Sequence, residues 1–252
     1  MKHIPPAQPS ADYSAWVTAN PNAAWNELRD AKQGALYQRL RDDLENHQKG
    51  LCAFCEIDLI PSDREIEHWH PKADRTGTTN WAIEFSNFHA ACVGGSSDRH
   101  PTVVRHTGDR YLEPIKDNQS CGARKGELVP EGRLLRPAEI PPSVSIFMVD
   151  SSGRIQVEAC RCASAGVDVT LAHNTITDLG LDCPRLRRAR SAHWTDITTH
   201  LNELVGRHTP REIAARYLRP DSNGDLPKFF SMLRSLFGHV AEEVLNPNLA
   251  HP

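Results

Sequence analysis

The pair Cys52-Ala-Phe-Cys55, the dipeptide Glu67-His68, and Asn87 five residues before Cys92 are the places in this chain where residue type and spacing could do chemistry. Two thiolates from one tight turn can hold the same tetrahedral zinc ion, provided a second pair completes the shell. Cys92, after Asn87-Phe-His-Ala-Ala, and Cys121, in Cys121-Gly-Ala-Arg-Lys125-Gly126, are the natural second pair. If they belong together, an insertion from Val93 to Ser120 has opened a knuckle that is usually short. Glu67 and His68 lie in Arg64-Glu-Ile-Glu67-His68-Trp-His70-Pro-Lys72, at the end of a short strand-like run. Neighbours in a strand face opposite sides, but a distorted strand end could aim both groups at one site. The pairing suits hydrolysis: a carboxylate can hold a hard divalent cation while an imidazole, neutral near pH 7, takes a proton from the attacking water. Asn87 follows after a gap that fits a hairpin return, and its amide oxygen could fix the His68 ring or touch the metal.

The elements that must position these groups are partly readable. From Ala23 to His47 the residues Trp25, Leu28, Ala31, Ala35, Leu36, Leu40 and Leu44 fall at helical spacing, which predicts one amphipathic helix, ended by Gly50, that delivers the chain to Cys52. From Leu51 to Gly126 the pattern breaks into short segments with Cys, His, Gly and Asn between them, as in a loop-rich core held by metal. Val144 to Val149 and Arg154 to Glu158, on either side of Asp150-Ser-Ser-Gly153, read as a hairpin. Helices are expected over about Cys183 to Leu204, Pro210 to Tyr217 and Pro227 to Leu245. The chain thus divides into a helical arm over 1–50, a catalytic core over 51–140, and a β-hairpin with a helical region over 141–252.

With 252 residues and 39% hydrophobic content, there is enough chain for one sizeable core or two modest ones. No run approaches the ~18 apolar residues of a membrane span, and the start lacks the apolar stretch of a secretory signal, so no membrane partner and a cytoplasmic location are expected. Seven cysteines, an odd number with close pairs, point to reduced thiolates and metal ligation rather than a disulfide framework. Cys160-Arg-Cys162 has a poor zinc spacing and no matching half, and Cys183 reads as buried packing. A net charge of -3 gives a polyanion no global attraction, so any nucleic-acid contact must be local. Arg185, Arg187, Arg188 and Arg190 form one basic group, and Arg99, His100, Arg105, His106 and Arg110 a looser one. Each reads equally as a solvated face or a phosphate-binding surface.

Taken together, Cys52-Ala-Phe-Cys55-Glu56, Ile66-Glu67-His68-Trp69-His70-Pro71-Lys72, Asn87-Phe88, Cys92 and Cys121-Gly-Ala-Arg-Lys125-Gly126 resemble the HNH endonuclease layout. More specifically, the chain resembles the PtuB-like nucleases found with Septu and retron anti-phage systems. Gly153-Arg-Ile and Thr175-Ile-Thr-Asp-Leu179-Gly-Leu181-Asp, followed by Leu186 and Arg190, extend the likeness, which spans roughly Gly50 to Arg190. The resemblance implies an α+β fold with a zinc-stapled ββα-metal core, an N-terminal helical arm and a mainly helical C-terminal region. It makes His68 the general base, Glu67 a ligand of catalytic Mg²⁺ or Mn²⁺, and Asn87 the residue that orients the base or completes the metal shell. Cys52, Cys55, Cys92 and Cys121 become a structural zinc site. The implied substrate is nucleic acid, DNA favoured over RNA, and the implied partner is a PtuA-like ATPase. One departure stands out: many HNH proteins carry a histidine or asparagine ligand directly after the last zinc cysteine, where this chain has Gly122. Either His70, His89 or His100 substitutes, or the metal is held by fewer protein groups and more water.

Two other functions compete with this one. A zinc knuckle without catalysis would leave a nucleic-acid or protein binding module, a view that Gly122 encourages. A zinc hydrolase for another substrate fits less well, since four cysteines close the coordination shell that a catalytic zinc must keep open. Lys72 and Lys125 could add positive charge near a scissile phosphate, or could be merely solvated.

Overall fold

A computed structural model describes residues 1–96 and 115–246, so the basic group at Arg99, His100, Arg105, His106 and Arg110 lies outside the described residues. The described chain is mostly helical, with two small two-stranded sheets. Helix α1 (Ala11–Ala19), which sequence patterning did not reveal, starts at Ser10, whose side chain accepts from the Tyr13 amide. The expected single helix over 23–47 is two: α2 (Trp25–Asp30) and α3 (Ala35–His47), separated by a 3-10 turn. Lys32 and Gln33 take φ values of 52° and 58° there, and Gly34 follows at 84°, a path that no α-helix can follow. The apolar spacing survived the break because α3 still buries Leu36, Leu40 and Leu44, one face at four-residue intervals.

Strands β1 (Glu65–His68) and β2 (Phe88–Ala91) pair antiparallel, with Glu67 opposite His89 and His68 opposite Phe88. Helix α4 (Cys121–Lys125) follows them in the chain. The second hairpin, β3 (Phe147–Val149) with β4 (Ile155–Val157), lies where the turn Asp150 to Gly153 placed it. Short α5 (Ala159–Ser164) and α6 (Val169–Asp178) come next, neither anticipated from periodicity. Helix α7 (Pro184–Leu204) opens with proline in its first turn, where a missing N–H costs nothing. Helix α8 (Pro210–Leu218) is held by a reciprocal box between Thr209 and Glu212. The last expected helix is also two, α9 (Phe230–Phe237) and α10 (His239–Leu245), parted at Gly238 with φ 54°.

Buried apolar side chains from all three stretches of the chain join one cluster, among them Leu28 and Leu40, Phe54 and Trp69, and Leu186 and Leu233. The arm and the C-terminal helices therefore share a core with the cysteine-bearing segment. No helix among the described residues is long and apolar enough to cross a membrane.

Candidate metal centre and strand-end site

Cys52 and Cys55 sit on a turn in which the Cys52 amide donates to Ile57 and the Glu56 amide to Cys52, with Glu56 at φ 62°. The Ala53 amide donates to the Ala90 carbonyl, which fixes that turn to β2. Cys92 leaves the end of β2, and Cys121 begins α4, its amide donating to the Leu179 carbonyl at 2.8 Å. The segment between α6 and α7 thus positions the fourth cysteine. The sulfurs stand 3.7 Å apart for Cys52 and Cys121, 3.6 Å for Cys55 and Cys92, and 3.8 Å for Cys92 and Cys121. A tetrahedron with zinc–sulfur bonds of about 2.3 Å has edges of about 3.8 Å, so the four Sγ atoms fit such an ion. All four are buried, and they could hold a metal ion. Burial pushes the Cys121 thiol well up, and the adjoining sulfurs add to this, so four thiolates this close require a cation among them.

Two of the arginines that could have formed a phosphate-binding face are part of this centre instead. Arg185 and Arg190, on α7, are 1% and 3% exposed. Arg185 donates to the Ser120 hydroxyl at 2.6 Å and to the Asn118 carbonyl at 3.3 Å, bracing the residues before Cys121. Burial alone would lower its guanidinium, but the sulfurs of Cys92, Cys55, Cys183 and Cys121 more than offset that and hold it above its ordinary value. Burial lowers Arg190, which donates to the carbonyls of Gly153 and Leu181 and feels Cys55 as its main opposing charge. A divalent ion held by four thiolates would carry two net negative charges, and Arg185 and Arg190 are buried cations close to those sulfurs. Arg187 pairs with Asp182 at the surface, and Arg188 is exposed. Cys160 is exposed, while Cys162 and Cys183 are buried and do not belong to the four-sulfur group.

At the end of β1 the regular pleat holds, so Glu67 and His68 turn to opposite faces and are not aimed together by a distortion. His68 shares its face with Phe88, its cross-strand partner, at a ring separation of 5.0 Å, and Trp25 of α2 lies edge-on at 4.4 Å. Its Nε2 lies 3.3 Å from the Ala82 carbonyl, which can only accept; the hydrogen-bond network therefore assigns the proton to Nε2 and leaves Nδ1 with the lone pair. Burial lowers His68 to about 4, with the charges of Lys72 and Lys125 acting in the same direction. The role of Trp25 in covering this ring could not be read from its position in a helical pattern.

Glu67 points toward α4. Lys125 Nζ lies 3.1 Å from its Oε1, and the Lys125 side chain is 2% exposed against 18% for Glu67. Burial raises the Glu67 carboxyl, against the pull of Lys125 and Lys72. The same two lysines therefore act on both candidate groups. A Cβ placed on Gly122 would lie 2.3 Å from Glu67 Oε2, so the carboxylate fills the space where a side chain at 122 would begin.

Asn87 is fully buried and acts on backbone rather than on the His68 ring. Its Oδ1 accepts from the His70 amide at 2.6 Å, and its Nδ2 donates to the His70 carbonyl at 3.0 Å and the Trp81 carbonyl at 2.9 Å. It pins the chain leaving β1. His70 stacks on Trp81 and meets Glu131 at Nδ1 and Asp74 at Nε2, so both ring nitrogens are engaged away from Glu67. His89, though opposite Glu67 in register, has its ring edge-on to Phe54 and Trp69 and an Nε2 without a hydrogen-bond partner; burial lowers it to about 3. His100 lies outside the described residues.

No protein-family model matches the chain. A protein named as the HNH endonuclease of retron Ec83, from Escherichia coli, is 30% identical over 259 residues, covering 92% of this chain and 93% of that protein. One named as the HNH endonuclease of retron Vc95, from Vibrio cholerae serotype O1 biovar El Tor, is 24% identical over 180 residues, 71% of this chain and 74% of that protein.

Proposed function

The chain belongs to the HNH endonuclease family, and on that premise we propose that it is a divalent-cation-dependent nuclease hydrolysing phosphodiester bonds, DNA in preference to RNA, as the cutting component of a retron-type anti-phage system with an ATPase partner. The cysteine centre would carry a structural zinc ion, and β1, β2 and α4 would be the ββα-metal core. The observation that carries the reading is the end of β1, where a neutral buried imidazole and a carboxylate flank one strand under the same two lysine charges.

Because Glu67 and His68 leave the strand on opposite faces, a phosphodiester that reaches both has to lie beyond His68, where β1 ends. His68 Nδ1 takes a proton from the attacking water while Nε2–H stays on the Ala82 carbonyl, which fixes the ring as the proton moves. The lowered basicity of His68 keeps it unprotonated at neutral pH, free to accept a proton but with a weaker pull on it than an imidazole that titrates near 7. A hard divalent cation held by Glu67 would supply positive charge to the non-bridging and leaving oxygens of the phosphate. Lys72 adds fixed charge nearby, and Asn87 positions His68 by holding the backbone at His70. The retron setting of both named relatives supports the defence role; the ATPase partner rests on resemblance to PtuB-like nucleases.

A second reading has an observation of its own: Glu67 already has Lys125 as its cation, as in a silent binding module. Plasmid, linear DNA and an RNA pool incubated with the zinc-loaded protein, with Mg²⁺, Mn²⁺ or EDTA, and with or without the ATPase, separate the two. Cation-dependent cleavage supports the nuclease and identifies its substrate. Nucleic-acid binding with no cleavage in any condition supports the module.

A further inference from the structure

Gly122 is the second residue of α4 and has no left-handed φ, so its backbone does not call for glycine. Glu67 occupies the space instead: both carboxylate oxygens and Cδ would lie within 2.9 Å of a Cβ at 122, a contact that only movement of that carboxylate relieves. The carboxylate is anchored there by the buried Lys125, whose Nζ also donates to the Gly126 carbonyl, while the Glu67 side chain remains 18% exposed.

We propose that residues 67 and 122 form a coupled pair in which the Glu67 carboxylate occupies the place of a ligand side chain at 122, and that Lys125 and a hard divalent cation compete for that carboxylate. The inference rests on the HNH reading and answers the question left by Gly122. No histidine needs to substitute: His70 and His89 are committed elsewhere, and the longer glutamate carries its oxygens into the gap that glycine leaves. Lys125 holds Oε1, so a cation that binds Glu67 meets a carboxylate already partly neutralised. Affinity for the cation is therefore set by Lys125 as well as by Glu67.

Mn²⁺ binding to the zinc-loaded full chain, followed at pH 8 by electron paramagnetic resonance and calorimetry, tests this without reference to cleavage. Gly122→Ala is expected to weaken Mn²⁺ by about tenfold or more by pushing the carboxylate out, and Lys125→Met or Lys125→Gln to tighten it by about tenfold. Gly122→Asn alone should be as weak as Gly122→Ala, while Glu67→Asp combined with Gly122→Asn should recover binding, the signature of coupling. Zinc content and melting temperature identify any variant that has misfolded, and the two Lys125 variants back each other up. Wild-type affinity in a folded Gly122→Ala, or unchanged affinity in a folded Lys125 variant, overturns the proposal while leaving the nuclease reading intact. A zinc-loaded wild type that takes up no Mn²⁺ overturns both.

Discussion

The cysteine centre gathers four like ligands from a turn, a strand end and a helix start, all fully enclosed, whereas the end of β1 offers one carboxylate and one imidazole on opposite faces, each shaped by neighbours of a different kind. Three of the sulfur–sulfur separations fall between 3.6 and 3.8 Å, and all four sulfurs lie within 4.8 Å of one another. Glu67 and His68 are instead tuned: one raised by burial and held by Lys125, the other lowered by burial under Trp25 and Phe88. A group of four like ligands is defined by their spacing alone, while a pair of unlike groups depends on what surrounds them.

The sharpest break in that comparison is Cys121→Ser. A structural zinc ion supplies roughly 10–16 kcal/mol, as much as or more than the roughly 5–15 kcal/mol by which a whole protein is stable. The variant should lose zinc and fail to fold, as read by metal content and near-UV circular dichroism; a folded, zinc-free Cys121→Ser would mean the centre is dispensable. Arg190→Met is expected to come next, at roughly 3 kcal/mol, because it removes a buried cation beside the thiolates and strips two carbonyls of their donor. Urea unfolding measures the loss, and chelator competition should show faster zinc release; unchanged release would detach Arg190 from the centre.

The smallest effect is the change that a single histidine makes to a slope with pH. Burial lowers His68 to about 4, His89 to about 3 and His193 to about 4, all below the value of about 6.5 expected in an unfolded chain. As pH falls below about 6.5, the unfolded chain takes up protons that the folded chain refuses, so stability drops until the folded values are reached near 4 or below. Above that window these groups contribute no pH dependence. Unfolding of the zinc-loaded protein between pH 7.5 and 4.5 should follow this slope, and His89→Leu should flatten it by about one proton. Identical slopes would show that His89 titrates freely.

Much of this contrast was legible in the residues themselves. Cysteine spacing marks ligands because sulfur chemistry is local, and the hairpin at Asp150 to Gly153 and the long helix after Cys183 are carried by their turn residues and proline. The break at Lys32 and Gln33 was not legible, since the apolar period runs through it. Nor was the burial of Arg185 and Arg190, because a basic run on a helix looks the same whether it meets solvent or a cluster of sulfurs more than sixty residues away in the chain. The crowding at Gly122 comes from a carboxylate on β1, far off in the chain, and the shielding of His68 from a tryptophan on α2.

The most direct test of the central claim is the single-turnover cleavage rate of zinc-loaded His68→Ala against wild type on the preferred nucleic acid with saturating Mn²⁺. A loss of roughly 10²–10⁴-fold is expected, with zinc content unchanged. A rate within a few-fold of wild type in a folded, zinc-loaded variant would contradict it and remove His68 from the reaction.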